Sequence, residues 1–277
     1  MYIYNQKGRQ LKIQKAEVAG AEVAGDDSAG AEVAGAEVAG VQGAGVNSAG
    51  VQGAGAEVAG AEDCLNRKFG EINIYEFVRK FHTNNPLLLC TKGIIHIGAH
   101  RCEEKEEYKS YKKILWIDGN DELCRQYPEI VQAIISDQDD KEIEFIITDN
   151  DAMSSSILEL KDHLYEHPEC HECRRLKSKS ITLDTLLKCQ GYANDDFDML
   201  DMDIQGAELL ALKGANKTLE SINTIITEVS EKELYHNCVL LDELDKYLEK
   251  KGFIRVLKAM TTHGWGDAVY VRQSKLM

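Results

Sequence analysis

Two turns in the sequence combine residue types that suit a nucleoside-containing ligand. The first, residues 96–102, follows an apolar run and contains Gly98, whose missing side chain lets the backbone approach a ligand closely. The second follows another apolar run, which ends in Asp118 about 20 residues later, where a carboxylate can accept hydrogen bonds from both hydroxyls of a ribose. The residues expected to contact such a cofactor are His96, Gly98, Ala99, His100, Asp118, Gly119 and Asn120.

Apolar runs and amphipathic stretches alternate along the chain after residue 62, and this predicts an α/β fold with a mostly parallel sheet and helices on both faces. Such a sheet binds ligands at the carboxyl ends of its strands, which brings both turns to one edge. The last two runs lack a helix between them, so one should run antiparallel. Strands are expected at 93–100, 113–118, 132–137, 142–148, 197–204, 222–230, 253–260 and 267–272, and helices at 72–81, 103–111, 121–131, 181–188, 206–219 and 240–253.

The charge and the apolar runs narrow the classes of partner. The chain carries a formal net charge of −15, which repels phosphate backbones, so nucleic acid is not expected as a partner. No apolar run approaches the roughly 18 residues that span a bilayer, and no apolar signal core follows the basic first residues, so no membrane association or secretion is expected. The eight cysteines are scattered, which is typical of reduced thiols in a cytoplasmic protein.

One segment contains residue types that bind zinc. His167, Cys170, His171 and Cys173 could supply the four ligands of a structural site. However, no second C-x-x-C follows, and the spacing is tighter than in a usual zinc finger. A surface loop is therefore favoured here, and no metal is expected.

The domain resembles the FkbM-type methyltransferase family, from about Ile74 to Arg272. Several long and unusual motifs stand in the family's order, and they cover nearly the whole domain. The matching segments are HIGAH with CEE (96–104), ILWIDGN (114–120), SSSIL with HL and HP (154–168), ITLDTLL (181–187), DMDIQGAELLALKGA (201–215), TEVSEKELY (227–235) and GWGDAVYV (264–271).

This resemblance implies a Rossmann-like class I methyltransferase sheet of about seven strands, S-adenosylmethionine as methyl donor, and O-methylation of a sugar or other hydroxylated acceptor. Two positions depart from the commonest family turn, which begins with an acid and ends with glycine, whereas this chain has His96 and Cys102. By position, the resemblance implies that Gly98, Ala99 and His100 border the methionine part, Asp118 holds the ribose, Ser136 and Asp137 lie near the adenine, Asp203 faces the methyl group, and Gln205, Gly206 and Glu208 open the next helix.

Methyl transfer to a hydroxyl needs alignment of the two reactants and a base. Asp203 is the first candidate base, because it ends its predicted strand and can clear the sheet, whereas Asp201 cannot. Glu208 and Glu228 are the next candidates. Alternatively, Asp203 caps the following helix and Glu208 is an acid on a helix face. The residues expected near a small-molecule or glycan acceptor are Ser154, Ser155, Ser156, His163, Gln205 and Trp265.

A second function class stays open at this point. The chain could be a catalytically silent module with the same fold that binds a glycan or a protein, with its N-terminal segment as a tether. The altered turn at His96 and Cys102 is the feature that supports this alternative, while the presence of Asp118 and Asp203 favours an enzyme.

A repeat precedes the domain. Residues 16–60 consist of five-residue units that end in Ala-Gly, with no residue larger than valine to bury, which predicts a flexible, acidic, low-complexity spacer. The alternative is a four-sided pentapeptide β-helix, although several core positions would hold serine or glycine. The expected organisation is a basic tail (1–15), the repeat (16–61) and the methyltransferase-like domain (62–277).

Overall fold

The structure, a computed structural model, describes residues 72–193 and 195–276, together with three short strands nearer the amino terminus. These strands are β1 (Tyr2–Tyr4) and β2 (Gln10–Lys12), which pair with each other, and β3 (Lys68–Phe69), which pairs with β4 (Ile72–Asn73). The predicted repeat at 16–61 and both predicted domain boundaries lie outside the described residues.

Seven strands form the main sheet, in the order β13-β14-β12-β11-β5-β6-β7. All neighbouring pairs are parallel except those of β14, which runs antiparallel to both β12 and β13. The α/β prediction and the antiparallel strand near the end of the chain are therefore confirmed. The strands are β5 (Gly93–Ile97), β6 (Lys113–Asp118), β7 (Ile130–Gln132), β11 (Met199–Met202), β12 (Thr224–Ser230), β13 (Phe253–Met260) and β14 (Trp265–Arg272).

The prediction of the third strand at 132–137 is wrong. That strand is β7 and ends at Gln132, and the chain then turns away as the Ala133 N–H donates to the Asp118 carbonyl (2.9 Å). The next residues form β8 (Ile134–Ile135), which joins a second sheet in the order β8-β10-β9. Strand β9 (Glu142–Thr148) was expected as an extra strand, but β10 (Glu172–Ile181) was not, because its polar side chains give no apolar signal.

The helices are shorter than the sequence patterns suggest. The predicted helix at 121–131 ends at Gln126, since Tyr127 precedes a proline and is therefore disfavoured in the helical region. The predicted helix at 206–219 breaks at Gly214, where a side chain would strike the Ser136 carbonyl. The helices are α1 (Ile74–Asn84), α2 (Asp121–Gln126), α3 (His163–Glu166), α4 (Leu183–Cys189), α5 (Glu208–Lys213), α6 (Thr218–Ser221) and α7 (Leu241–Lys250), and 3₁₀ turns lie at Pro86–Leu88, Glu103–Glu106 and Gln273–Lys275.

Helices cover both faces of the main sheet. Alternate residues of the central strands point to opposite faces, so Ile95 and Leu200 meet α4, α5 and α7, whereas Ile94 and Met199 meet α1. All five residues of β5 and all four of β11 are buried, as expected of strands with helices on both sides. Each fully buried aliphatic side chain contributes about 1.5–3 kcal/mol to folding, so these two clusters hold the sheet edge in place.

Candidate active site

The carboxyl ends of β5, β6, β11 and β12 lie at one edge of the main sheet, and the turn after β5 forms the first wall of the candidate site. Gly98 has φ +88°, and its N–H and that of Ala99 donate to the Ile117 carbonyl (2.9 and 3.0 Å). A Cβ built on Gly98 would lie 1.8 Å from the Asp203 carbonyl oxygen. Only glycine fits here, and its close approach brings the backbone of Asp203 against the turn.

Asp118 joins this turn to the one after β6. Its Oδ2 accepts from the His100 N–H (2.9 Å) and its Oδ1 from the Asn120 N–H (2.8 Å). The side chain is 8% exposed, and burial raises its pKa against the lowering effect of these two bonds. A carboxylate has about four acceptor positions, so these bonds leave places for hydroxyl donors.

His100 carries the turn over to a neighbouring loop. Its Nδ1 lies 2.9 Å from Glu103 Oε1 and its Nε2 lies 2.9 Å from the Asp151 carbonyl oxygen. Burial alone would lower the pKa of this imidazole, but the bond to Glu103 and the charge of Glu103 outweigh it, and the net effect raises the pKa. Because both ring nitrogens face acceptors, the doubly protonated ring suits this position best.

Three of the residues predicted at the cofactor have contacts within the protein. Asn120 is buried, and its Oδ1 accepts from the Glu122 N–H (3.0 Å) at the start of α2. Gly119 lies against the Phe145 ring. Ser136 is fully buried, with its carbonyl packed on Gly214.

His96 lies on the α1 side of the sheet and not in the crevice. The side chain is 1% exposed, and its Nδ1 lies 2.9 Å from the Tyr108 hydroxyl. Tyr108 and Tyr75 both donate to Asp201 Oδ2 (2.5 and 3.1 Å). Strand alternation turns the His96 ring into this buried network, so the structure does not bring His96 to the ligand edge.

Beyond the ends of β11 and β12, Gln205 connects two carboxylates. Its Nε2 donates to Asp203 Oδ1 (2.8 Å) and to Glu228 Oε2 (3.0 Å), while its Oε1 accepts from the Tyr235 hydroxyl (2.7 Å). Asp203 and Glu228 are half-buried, so both lie at the surface of the crevice. The structure thus places Asp203, Gln205 and Glu228 together, next to the Gly98 turn.

Glu208, the third candidate base, lies deeper. It is 2% exposed, and its Oε1 accepts from the N–H groups of Ile204 and Gly206 (both 3.2 Å). Burial, reinforced by the charge of Asp203, raises the pKa of Glu208 to about 7. Glu208 and Glu228 help to line a cavity of about 10 Å³, which is room for one water molecule.

The predicted acceptor serines lie on a loop, residues 149–156, that connects the turn after β5 with Gln205. At one end, Asp151 accepts from Arg101 (2.6 Å) as well as from His100. At the other end, the Ser156 hydroxyl donates to the Gln205 carbonyl (2.9 Å). The remaining two serines bond within the loop region: Ser154 Oγ accepts from Asn150 (2.9 Å), and Ser155 Oγ accepts from the Thr148 N–H (3.2 Å).

His163 and Trp265 pack around Tyr235. The Nε2 of His163 lies 3.0 Å from Ser154 Oγ, and burial lowers the pKa of His163 to about 4. Trp265 begins β14 and packs on the apolar cluster of Leu234, Tyr235 and Cys238. Asp137, half-buried, accepts from the Ser136 hydroxyl (3.2 Å) on the side of the second sheet.

The potential zinc ligands in the segment 167–173 do not face one another in the structure. His167 Nδ1 lies 3.5 Å from Glu169, whereas His171 Nδ1 lies 3.4 Å from Asp149. Across residues 72–193 and 195–276 there is no group of three or more histidine, cysteine, aspartate or glutamate side chains placed to hold a metal ion.

The candidate site combines the Gly98 turn with carboxylates at the ends of strands. Asp118 ends β6, Asp203 follows β11, and Glu228 lies near the end of β12. The family model described as the methyltransferase FkbM domain matches residues 72–255. The chain belongs to the FkbM methyltransferase domain family. This membership supports a methyltransferase role. A comparison with curated proteins found no match to the chain.

The FkbM domain match includes every residue of the carboxylate cluster, and Trp265 lies beyond its end. Two functional candidates in the FkbM domain could not be found from the sequence: Tyr235, which bonds Gln205, and Asp151, which bonds the first turn. Tyr235 ends the TEVSEKELY segment quoted above and Asp151 stands in none of the quoted segments, but neither contact could be predicted, because the partners lie 30 and 51 residues away. In the described part of the chain, no helix is long and apolar enough to cross a membrane.

Proposed function

We propose that the chain is an S-adenosylmethionine-dependent O-methyltransferase that acts on a hydroxyl of a sugar, glycan or similar small acceptor. The observation that carries this proposal is the carboxylate pair Asp203 and Glu228, joined by Gln205 and held next to the Gly98 turn. It combines a place where a cofactor backbone contact fits with acids that can accept a proton from a hydroxyl.

The residues at this edge of the sheet are suited to S-adenosylmethionine. Gly98 lets the Asp203 backbone, and with it the Asp203 carboxylate, lie against the turn, and Asp118 presents a buried carboxylate with acceptor positions for a ribose diol. In this proposal the turn from Gly98 to His100 borders the methionine part, and Asp203 lies nearest to the methyl group. When bound, the sulfonium supplies an already activated methyl group.

The protein's own part is to orient the acceptor and remove its proton. Asp203 is the best placed of the three acids, since it is half-buried and next to the first turn. Glu208 is almost fully buried and its Oε1 holds two backbone N–H groups, so it suits a supporting role that adjusts the charge of Asp203. Glu228 shares the Gln205 amide and is the alternative base.

Calorimetric titration with S-adenosylmethionine tests the cofactor. The wild-type protein should bind it, and Asp118→Ala should weaken binding by roughly 1.5–3 kcal/mol, which is the usual worth of hydrogen bonds to a charged group. Glu142→Gln, which changes an exposed acid on β9, is the matched control and should bind normally. A wild-type protein that releases no binding heat would refute the cofactor and favour the silent module.

Transfer of a labelled methyl group to a panel of neutral mono- and oligosaccharides tests the reaction. Asp203→Asn keeps the shape of the side chain and removes its charge, so turnover should fall by at least about 10²-fold while S-adenosylmethionine still binds. If Asp203→Asn turns over normally and Glu208→Gln or Glu228→Gln does not, the base is one of these two glutamates.

A further inference from the structure

The backbone at Gln205 is held in an unusual conformation. Gln205 has φ +55° and Gly206 has φ +93°, so two successive residues lie in the left-handed region. That region costs a residue with a side chain about 1–3 kcal/mol, so neighbouring contacts must maintain it. The carbonyl of Gln205 accepts from Ser156 (2.9 Å), and that of Gly206 accepts from the Val239 N–H (3.3 Å).

The side chain of Gln205 has one favourable orientation here. Ionised carboxylates only accept hydrogen bonds, so the amide nitrogen, which carries two hydrogens, must face Asp203 and Glu228. The amide oxygen then faces the hydroxyl of Tyr235, which must donate. The reverse orientation would point the amide oxygen at two carboxylates and the amide nitrogen at the tyrosine.

Tyr235 is itself fixed as a donor. It is 3% exposed, its ring centroid lies 5.4 Å from that of His163, and it forms an isolated β-bridge with Leu160. Burial, followed by the charge of Glu228, raises the pKa of Tyr235 well above its usual value, so the hydroxyl keeps its proton. The same hydroxyl lies 3.1 Å from the Ser154 carbonyl, which is a second acceptor for it.

Building on the proposed function, we propose that Tyr235 is a positioning residue of the methyl-transfer site. Its hydroxyl holds the Gln205 carboxamide so that both amide hydrogens face Asp203 and Glu228. Two like charges can then lie side by side at the crevice, oriented towards an acceptor. Tyr235 does not touch the reacting atoms in this arrangement, and it acts through Gln205.

Hydrogen exchange of side-chain amides, followed by nuclear magnetic resonance, tests this arrangement without cofactor or acceptor. In the wild-type protein the Gln205 amide should exchange about 10- to 100-fold more slowly than that of the exposed Gln138, as expected for hydrogen bonds to charged groups. Tyr235→Phe should remove most of this protection. Tyr247→Phe is the control, since its hydroxyl donates to the Leu212 carbonyl and the Gln205 amide should stay protected.

Turnover separates positioning from a purely structural role. Tyr235→Phe should lower kcat with little change in KM, Gln205→Met should lower it by a similar factor, and the double variant should lose no more than either single variant. Multiplying losses would overturn the proposal, because Tyr235 would then act independently of Gln205.

The wild-type measurement decides the matter if Tyr235→Phe does not fold. A Gln205 amide that exchanges as fast as that of Gln138 overturns the proposal. A protected amide together with a slowly exchanging Tyr235 hydroxyl proton close to it supports the proposal. A protein that shows this protection yet binds no S-adenosylmethionine would refute the proposed function and leave the Gln205 geometry intact.

Discussion

Replacing Glu208 by glutamine should stabilise the protein at neutral pH. The side chain is almost fully buried, and burial raises its pKa from 4.5 to about 7. Glutamine keeps the oxygen that accepts from the Ile204 and Gly206 N–H groups and removes the charge. The variant therefore isolates the cost of holding a buried carboxylate.

The sign and size of the effect follow from proton binding. Between pH 4.5 and about 7 the native state holds a proton on Glu208 that the unfolded chain has released, so the contribution of Glu208 to stability falls as the pH rises through this window. The difference between the two pKa values corresponds to about 3 kcal/mol above pH 7. Glu208→Gln should therefore match the wild type near pH 4.5 and exceed its free energy of unfolding by about 3 kcal/mol at pH 8.

Urea unfolding followed by tryptophan fluorescence at several pH values measures this difference. Glu142→Gln, at an exposed acid, serves as the control and should leave the pH dependence unchanged. A Glu208→Gln protein with the same pH dependence as the wild type, or one less stable at pH 8, would show that Glu208 is ionised in the native state without cost.

Three further predictions concern the turn, a buried histidine and the repeat. Gly98→Ala should lower the free energy of unfolding by more than about 2 kcal/mol. The control is Gly191→Ala, where φ is +77° but no atom lies within 4 Å of the added carbon, and this variant should lose only about 1–2 kcal/mol. Equal losses in urea unfolding would contradict the contact at Gly98. Burial lowers the pKa of His82 to about 4, so the contribution of His82 to the free energy of unfolding should fall as the pH drops from 6.5 to 4, and urea titrations of His82→Gln should show a flatter acid limb than those of the wild type. Deleting residues 16–60 should change the melting temperature by less than about 4 °C, the shift that 1 kcal/mol produces in a domain of this size, and a larger loss would show that the repeat packs.

The central sheet could be predicted because its strands are continuous buried apolar runs. A local sequence pattern does not predict the secondary structure correctly where contacts with distant residues determine it. The segment 103–111 has helical spacing, yet only Glu103–Glu106 is helical, as a 3₁₀ helix, and turns follow it. Like charges at Glu103 and Glu107 disfavour a full helix, and Tyr108 is drawn into the sheet to bond Asp201.

The candidate site was predictable to the extent that strand ends define it. The sequence predicts that Asp118 and Asp203 lie near each other because the carboxyl ends of parallel strands meet at one edge, and the structure has both residues at the ends of such strands. His96 was assigned to the cofactor by its place in the turn, but the alternation of β5 points it to the other face. Tyr235 stands in the quoted segment 227–235, but its contact with Gln205 does not follow from that segment, because the two residues are 30 positions apart in the chain.

The 149–156 loop contacts a titratable side chain, that of His100. Asp151 connects the loop to His100, and Ser156 connects it to Gln205, so one loop contacts both the turn after β5 and the backbone after β11. Burial lowers the pKa of His100, but Glu103 on the same turn and, after it, Asp151 of the loop raise it, so the loop contact favours the protonated ring without being the main cause of the raised pKa. Breaking the contact between His100 and the Asp151 carbonyl therefore lowers the pKa of His100 and favours release of its proton. By linkage, any ligand that displaces the loop from His100 also changes the number of protons bound to the protein. The measured heat of ligand binding then depends on the ionisation enthalpy of the buffer.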